Sequence, residues 1–158
     1  TTEISTNEFI FNNDGFRRFC NQTDFLYPMS ELNSSLIMMG RPPLSEESKE
    51  ILNQIPCYAD FYKYIQWHNL VNELASQTKM PRLVLYYEDY ETNWQETVKK
   101  LFQFLDLTVI AGSKKFSRRH YRSYFTKEEI QAVKELTMLL ASNATKRHLK
   151  RYFGEEQD

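Results

Sequence analysis

The sequence predicts an α/β fold that is mainly helical and carries one buried parallel strand at about residues 82–87. Leu83, Val84 and Leu85 form a continuous apolar run between Pro81 and the acidic pair Glu88–Asp89, which suits a strand covered on both faces. Beyond that corner, Asn93 and Glu96 have the spacing of a capping box, and Trp94, Val98, Leu101, Phe102 and Leu105 fall on one helical face. Elsewhere the apolar spacing is helical. A strand that empties into a short polar turn before a helix is where α/β proteins place ligand-binding groups.

Taken in order, residues 13–20 read as a short helix end with Phe16, Phe19 and Cys20 on its apolar side. Residues 27–56 are irregular, with Asn33-Ser34-Ser35, Gly40 and an Arg41-Pro42-Pro43 break, and read as a surface excursion. Within it a helix is predicted after Ser45, where Glu46 and Glu47 suit the positive end of the helix dipole. Residues 58–76 are predicted helical, with Phe61, Ile65, His68, Val71 or Asn72, and Ala75 marking successive turns. A further helix opens at Thr126 with a Thr-x-x-Glu box through Glu129 and carries the stripe Ile130, Val133, Leu136, Thr137 and Leu140. A short helix over about 145–152 closes the chain. One strand cannot form a sheet, because each buried unpaired backbone group costs about 1–3 kcal/mol. Neighbouring strands are therefore expected from residues outside this sequence.

The 158 residues, 41% hydrophobic and 15% aromatic, suffice for one domain with a core. A formal charge of -1 gives no general case for nucleic-acid binding. No run approaches the roughly 18 apolar residues of a membrane span. No internal repeat or low-complexity segment is visible, and no N-terminal signal peptide is seen, although targeting information upstream of Thr1 is left open.

An apolar strand ending in Tyr87-Glu88-Asp89, a turn, and a helix closing on Phe104-Leu105 resembles the C-terminal half of sulfotransferases that use 3′-phosphoadenosine-5′-phosphosulfate (PAPS). Upstream, Tyr64-Ile65-Gln66-Trp67-His68-Asn69-Leu70 resembles the Trp-bearing helix that precedes this strand in that family. Downstream, Tyr121-Arg122-Ser123-Tyr124-Phe125-Thr126 resembles the aromatic-rich approach to the family's last helix. The resemblance runs from about Phe16 onward and rests on three features in the right order. It implies the C-terminal part of a P-loop, three-layer domain whose N-terminal phosphate-binding half is not in this sequence. None of the 4 glycines lies in a Gly- or Ser-rich loop with Lys between a strand and a helix, and the family's Arg-Asn-Pro segment is missing.

The implied chemistry is transfer of a sulfonate from PAPS, as cosubstrate and without a metal, to a hydroxyl or amine of a glycan, protein or small-molecule acceptor. This chain is expected to supply the adenine and 3′-phosphate side of the site and to be inactive alone. The resemblance places Tyr87 beside the adenine, where a ring offers stacking area; without it, Tyr87 reads as a packed strand-end residue. It places Lys114 and Lys115 where the family has an Arg-Lys-Gly loop that holds the remote phosphate, although here the Gly is replaced by Phe116. That pair or Arg118–Arg119 could supply charge-assisted hydrogen bonds, and a solvated basic face is an equal reading of the same residues. Trp67 is expected to line the acceptor side, against the plainer reading of a core Trp. Glu88 is expected either to hold the nucleotide site in shape or simply to form the turn. His68 is read as structural, and the family's catalytic base is expected in the missing half. His120 and His148 show no metal-ligand spacing with either cysteine.

Cys20 and Cys57 flank the irregular stretch, where a disulfide would contribute roughly 3–4 kcal/mol if geometry allows. Asn21-Gln22-Thr23, Asn33-Ser34-Ser35 and Asn143-Ala144-Thr145 are glycosylation sequons, against about 1.4 expected by chance. Both features lean toward a lumenal Golgi enzyme, free or membrane-anchored, with a cytosolic enzyme holding two buried thiols as the alternative. Two rival classes stand beside the transferase: a noncatalytic helical interaction module, favoured by the missing phosphate cradle, and a P-loop kinase relative.

Overall fold

A computed structural model describes residues 12–38, 40–108 and 122–153. The chain divides into two compact units, 1–74 with 122–158, and 75–121, and the division falls within one helix. Among the described residues the regular structure is helical: α1 (Asn13–Leu26), α2 (Met29–Met38), α3 (Glu46–Leu52), α4 (Tyr58–Thr78), α5 (Asp89–Thr92), α6 (Trp94–Phe104), α7 (Lys127–Leu140) and α8 (Asn143–Leu149), with short 3₁₀ turns at Arg122–Tyr124 and Lys150–Tyr152.

The expected α/β architecture is not found. No strand or sheet occurs among the described residues, and 81–86 run as non-helical chain. Leu83 and Leu85 are half-buried, whereas Val84 is 41% exposed, so the run is not buried on both faces. The reason is that an apolar run around a β-branched Val favours extended backbone locally, while a strand exists only through a ladder with another extended segment. The described residues offer no such segment.

In the first unit the core is built from α2, α3, α4 and α7. Leu32, Leu36, Leu44, Leu52, Ile55, Tyr62, Ile65, Ala132, Leu136 and Ala141 form one buried cluster, with α3 packed on α7. Residues 27–56, read from sequence as a surface excursion, thus supply half of it. Their leucines are spaced by four on α2, but polar Asn33, Ser34 and Ser35 between them mask the period. Beyond α2, Gly40 has a φ of +68°, and the Arg41 N–H reaches back to the Leu36 carbonyl at 2.9 Å. The Asn33 amide oxygen then accepts from the Leu44 N–H at 2.7 Å and turns the chain into α3. Ser45 caps α3 by accepting from the Ser48 N–H.

α7 opens as predicted. Thr126 accepts from the Glu129 N–H at 3.2 Å, and the Glu129 carboxylate accepts from the Thr126 N–H at 2.8 Å. Its buried side is Ala132, Leu136 and Thr137, with Ile130, Val133 and Leu140 half-buried. The same Glu129 takes a two-point ion pair from Arg17 of α1, at 2.6 and 2.9 Å, while Arg17 also donates to the Tyr124 carbonyl. Arg17 holds the Glu129 carboxyl below its ordinary pKa. Phe16 packs on Tyr124 and Phe125 around this link, at ring separations of 5.4 and 4.9 Å.

The second unit is sparser. Within 75–108, Thr97 is the one buried residue among those described. The Asn93–Glu96 capping box does not form, because Asn93 is also the C-cap of α5 and its side chain makes no cap bond. The Thr97 hydroxyl instead donates to the Asp89 carbonyl at 3.2 Å. The predicted face survives in part: Trp94, Val98, Leu101 and Phe102 are half-buried and Leu105 is exposed.

Candidate functional site

α4 has no Ser, Thr, Asp or Asn at its N-cap position, which is Cys57. The acceptor is brought from α1: the Asp24 carboxylate receives the Ala59 N–H at 3.2 Å and faces the N–H groups of Cys57 and Tyr58, which favour its charged form. Burial, outweighing these donors, raises the Asp24 pKa. Cys20 and Cys57 lie alongside and are disulfide-bonded, with Cα atoms 4.3 Å apart across 37 residues of sequence. The start of α4 is thereby tied to α1 by a covalent bond and a cap, which orients the aromatic residues further along it.

Those residues form a ledge. Tyr64 and His68, four apart on one face, meet edge to face at 4.4 Å, and Trp67 meets His68 at 4.9 Å. Burial, with a smaller contribution from His148, lowers the His68 pKa and favours neutral imidazole. The Trp67 ring is 59% exposed, so it is not a core Trp within this chain. Tyr64 also lines an apolar groove of about 370 Å³ whose walls include Phe61, Ile65, Val133, Leu149 and Phe153. Such a groove can hold the apolar or ring portion of a ligand.

Asn69 and Asn72, on the same helix, fix its other contacts. Asn69 donates to the Leu140 carbonyl at 2.9 Å and accepts from the Ser142 N–H at 2.8 Å, closing the α7–α8 corner. Asn72 donates to the buried Thr145 hydroxyl at 3.1 Å. The Tyr62 hydroxyl has no hydrogen-bond partner among the described residues, and burial pushes its pKa up to about 12.

In the second unit Tyr87 stands in the turn before α5 and is 45% exposed. Its carbonyl accepts from the Tyr90 N–H, and the Glu88 carbonyl accepts from the Glu91 and Thr92 N–H groups and from the Thr92 hydroxyl. The strand that was expected to carry Tyr87 is absent, but the expected polar turn is present. Lys114, Lys115, Arg118 and Arg119 lie outside the described residues. Trp67 and Tyr87, the two predicted site residues that are described, belong to different units. The Tyr64–His68 contact was missed; the i, i+4 spacing of two rings next to Trp67 is the signal that could have found it.

Among the described residues no group of three or more His, Cys, Asp or Glu could hold a metal ion, and no helix is long and apolar enough to cross a membrane. No family model, curated protein or solved structure matches the chain.

Proposed function

We propose that this chain is part of a PAPS-dependent sulfotransferase, in which it contributes the adenine and 3′-phosphate side of the cosubstrate site and part of the acceptor wall. The observation that carries this reading is the ordered series in the sequence: the Trp67 helix, the Tyr87-Glu88-Asp89 corner and the aromatic approach to the capped helix at Thr126. In such a reaction the acceptor oxygen or nitrogen attacks sulfur, the bond from sulfur to the 5′-phosphate oxygen breaks, and a base takes the acceptor's proton. The base, and the Lys and N–H groups that neutralise the departing phosphate, would come from residues outside these 158.

Two features support the roles given to residues that are present. Tyr87 is a partly exposed aromatic residue at a turn, the residue type that stacks on a base. Trp67, exposed on α4, presents surface suited to an acceptor's ring or sugar face. Lys114, Lys115, Arg118 and Arg119 are proposed for the 3′-phosphate on sequence alone. The disulfide supports a lumenal setting, because such bonds persist in oxidising compartments.

Calorimetric titration of adenosine 3′,5′-bisphosphate and of ATP into the complete gene product tests this reading. Preference for the bisphosphate is expected, and neutralising Lys114, Lys115, Arg118 and Arg119 together should weaken it by ~10-fold or more. Equal affinity for ATP would instead favour a kinase relative. Absence of binding to either would favour a noncatalytic helical interaction module, the reading supported by the lack of a phosphate-cradling loop in this sequence.

A further inference from the structure

Of the sequons, Asn21-Gln22-Thr23 differs from the others in its surroundings. Asn33 is half-buried, and its amide oxygen is engaged by the Leu44 N–H at 2.7 Å. Asn143 is exposed, but it lies one residue past the Ser142 cap of α8, whose Thr145 hydroxyl is buried against Asn72. Asn21 is exposed on α1 and lines a cleft of about 480 Å³ whose other walls include Asp24, Asn53, Gln54 and Tyr58. The polar groups there are the Asp24 and Glu129 carboxylates, the Tyr58 phenol and the primary amides of Asn53 and Gln54, beside that of Asn21 itself. That is the chemistry that pairs with the hydroxyl and acetamide groups of an N-acetylhexosamine. The cleft volume is in the range of small-ligand sites. Four residues along the same face, Phe25 is 83% exposed, so a branched glycan leaving Asn21 would also cover an apolar ring.

We propose that Asn21 carries an N-linked glycan whose innermost sugar seats in the cleft between α1 and the Asn53–Gln54 turn. Attachment requires passage through the secretory pathway, and in that respect the proposal rests on the lumenal setting proposed above. The sugar joined to the Asn21 amide nitrogen is placed to accept from Asn53 and Gln54 and to donate to Asp24. These contacts would add to the tie that the Cys20–Cys57 bond makes between the same two segments.

The chain is expressed in insect cells behind an added secretion signal, and both secreted and membrane-retained material is collected. Entry into the pathway is then assured, and a bare Asn21 speaks against the site and not against the natural compartment. Amidase release of N-glycans in ¹⁸O-water is expected to convert Asn21 to labelled Asp. Asn21→Gln and Thr23→Val should each abolish that label. Trimming to the single innermost sugar should leave the melting temperature unchanged, whereas complete release should lower it, and Asn53→Ala with Gln54→Ala should remove most of that difference. An unlabelled Asn21, label at Asn33 but not at Asn21, or a melting temperature indifferent to the innermost sugar would each overturn the proposal.

Discussion

The two units of this chain solve the same problem unequally. In the first, helices distant in sequence are joined by a disulfide, a cap supplied across helices, an ion pair and a shared apolar cluster. In the second, α6 is as clearly amphipathic as any described helix, yet the residue it buries is Thr97, a hydroxyl near its start. An apolar stripe stabilises a helix only where another surface removes it from water, so the pattern alone does not measure stability. The lesson is that the segment richest in recognisable sequence, 82–105, is not the one that holds the described structure together.

The disulfide should give the largest contrast. Cys20→Ser with Cys57→Ser is expected to cost the first unit about 3–4 kcal/mol through the entropy of its unfolded chain. Hydrogen exchange by mass spectrometry should show lost protection in α1 and at the start of α4 and no change in α6. Equal loss in both units would break the contrast. Next come matched truncations. Leu52→Ala, at a site fully shielded from water, should cost about 2–5 kcal/mol in chemical denaturation, whereas Leu101→Ala on half-buried α6 should cost under about 1 kcal/mol.

The Arg17–Glu129 pair is expected to couple by about 1 kcal/mol in a double-mutant cycle, because the guanidinium is a third exposed. Its pH dependence has a defined sign. The Glu129 pKa is lowered on folding, so its contribution is present above the unfolded carboxylate pKa and is lost as pH falls through the folded one. Asp24, with a raised pKa, acts oppositely: stability is gained as pH falls through its folded value toward the unfolded one. Urea midpoints from neutral to acid pH should therefore rise slightly and then fall. Asp24→Asn should remove the rise and Glu129→Gln part of the fall; an unchanged curve in both variants contradicts these environments.

The smallest effects should be gains. Tyr62→Phe deletes a buried hydroxyl that has no partner among the described residues and should stabilise the first unit by up to about 1 kcal/mol. In the second unit Asp106, at φ +52°, ends α6 in the left-handed conformation usually given to Gly, while the Leu107 N–H reaches the Phe102 carbonyl at 2.9 Å. Asp106→Gly should raise α6 protection in hydrogen exchange by a few tenths to about 1 kcal/mol. A loss at either position would show that the groups have partners beyond this chain.

Much of the helical layout was legible in the residues. The 58–76 pattern, the Thr126–Glu129 box, the Leu136–Thr137 stripe and the helix after Ser45 all report hydrogen bonds made within three or four positions, which local sequence can specify. The polar corner at Tyr87 and the ring of Trp67 could likewise be placed on their elements. The pairing of Cys20 with Cys57, the Asp24 carboxylate at the head of α4, the orphan Tyr62 hydroxyl and the inward turn of 29–55 depended on tertiary structure. So did the fate of Leu83-Val84-Leu85: a helix closes its bonds on itself, but an extended run becomes a strand only when a distant segment comes beside it, and no stretch of sequence encodes its own neighbour.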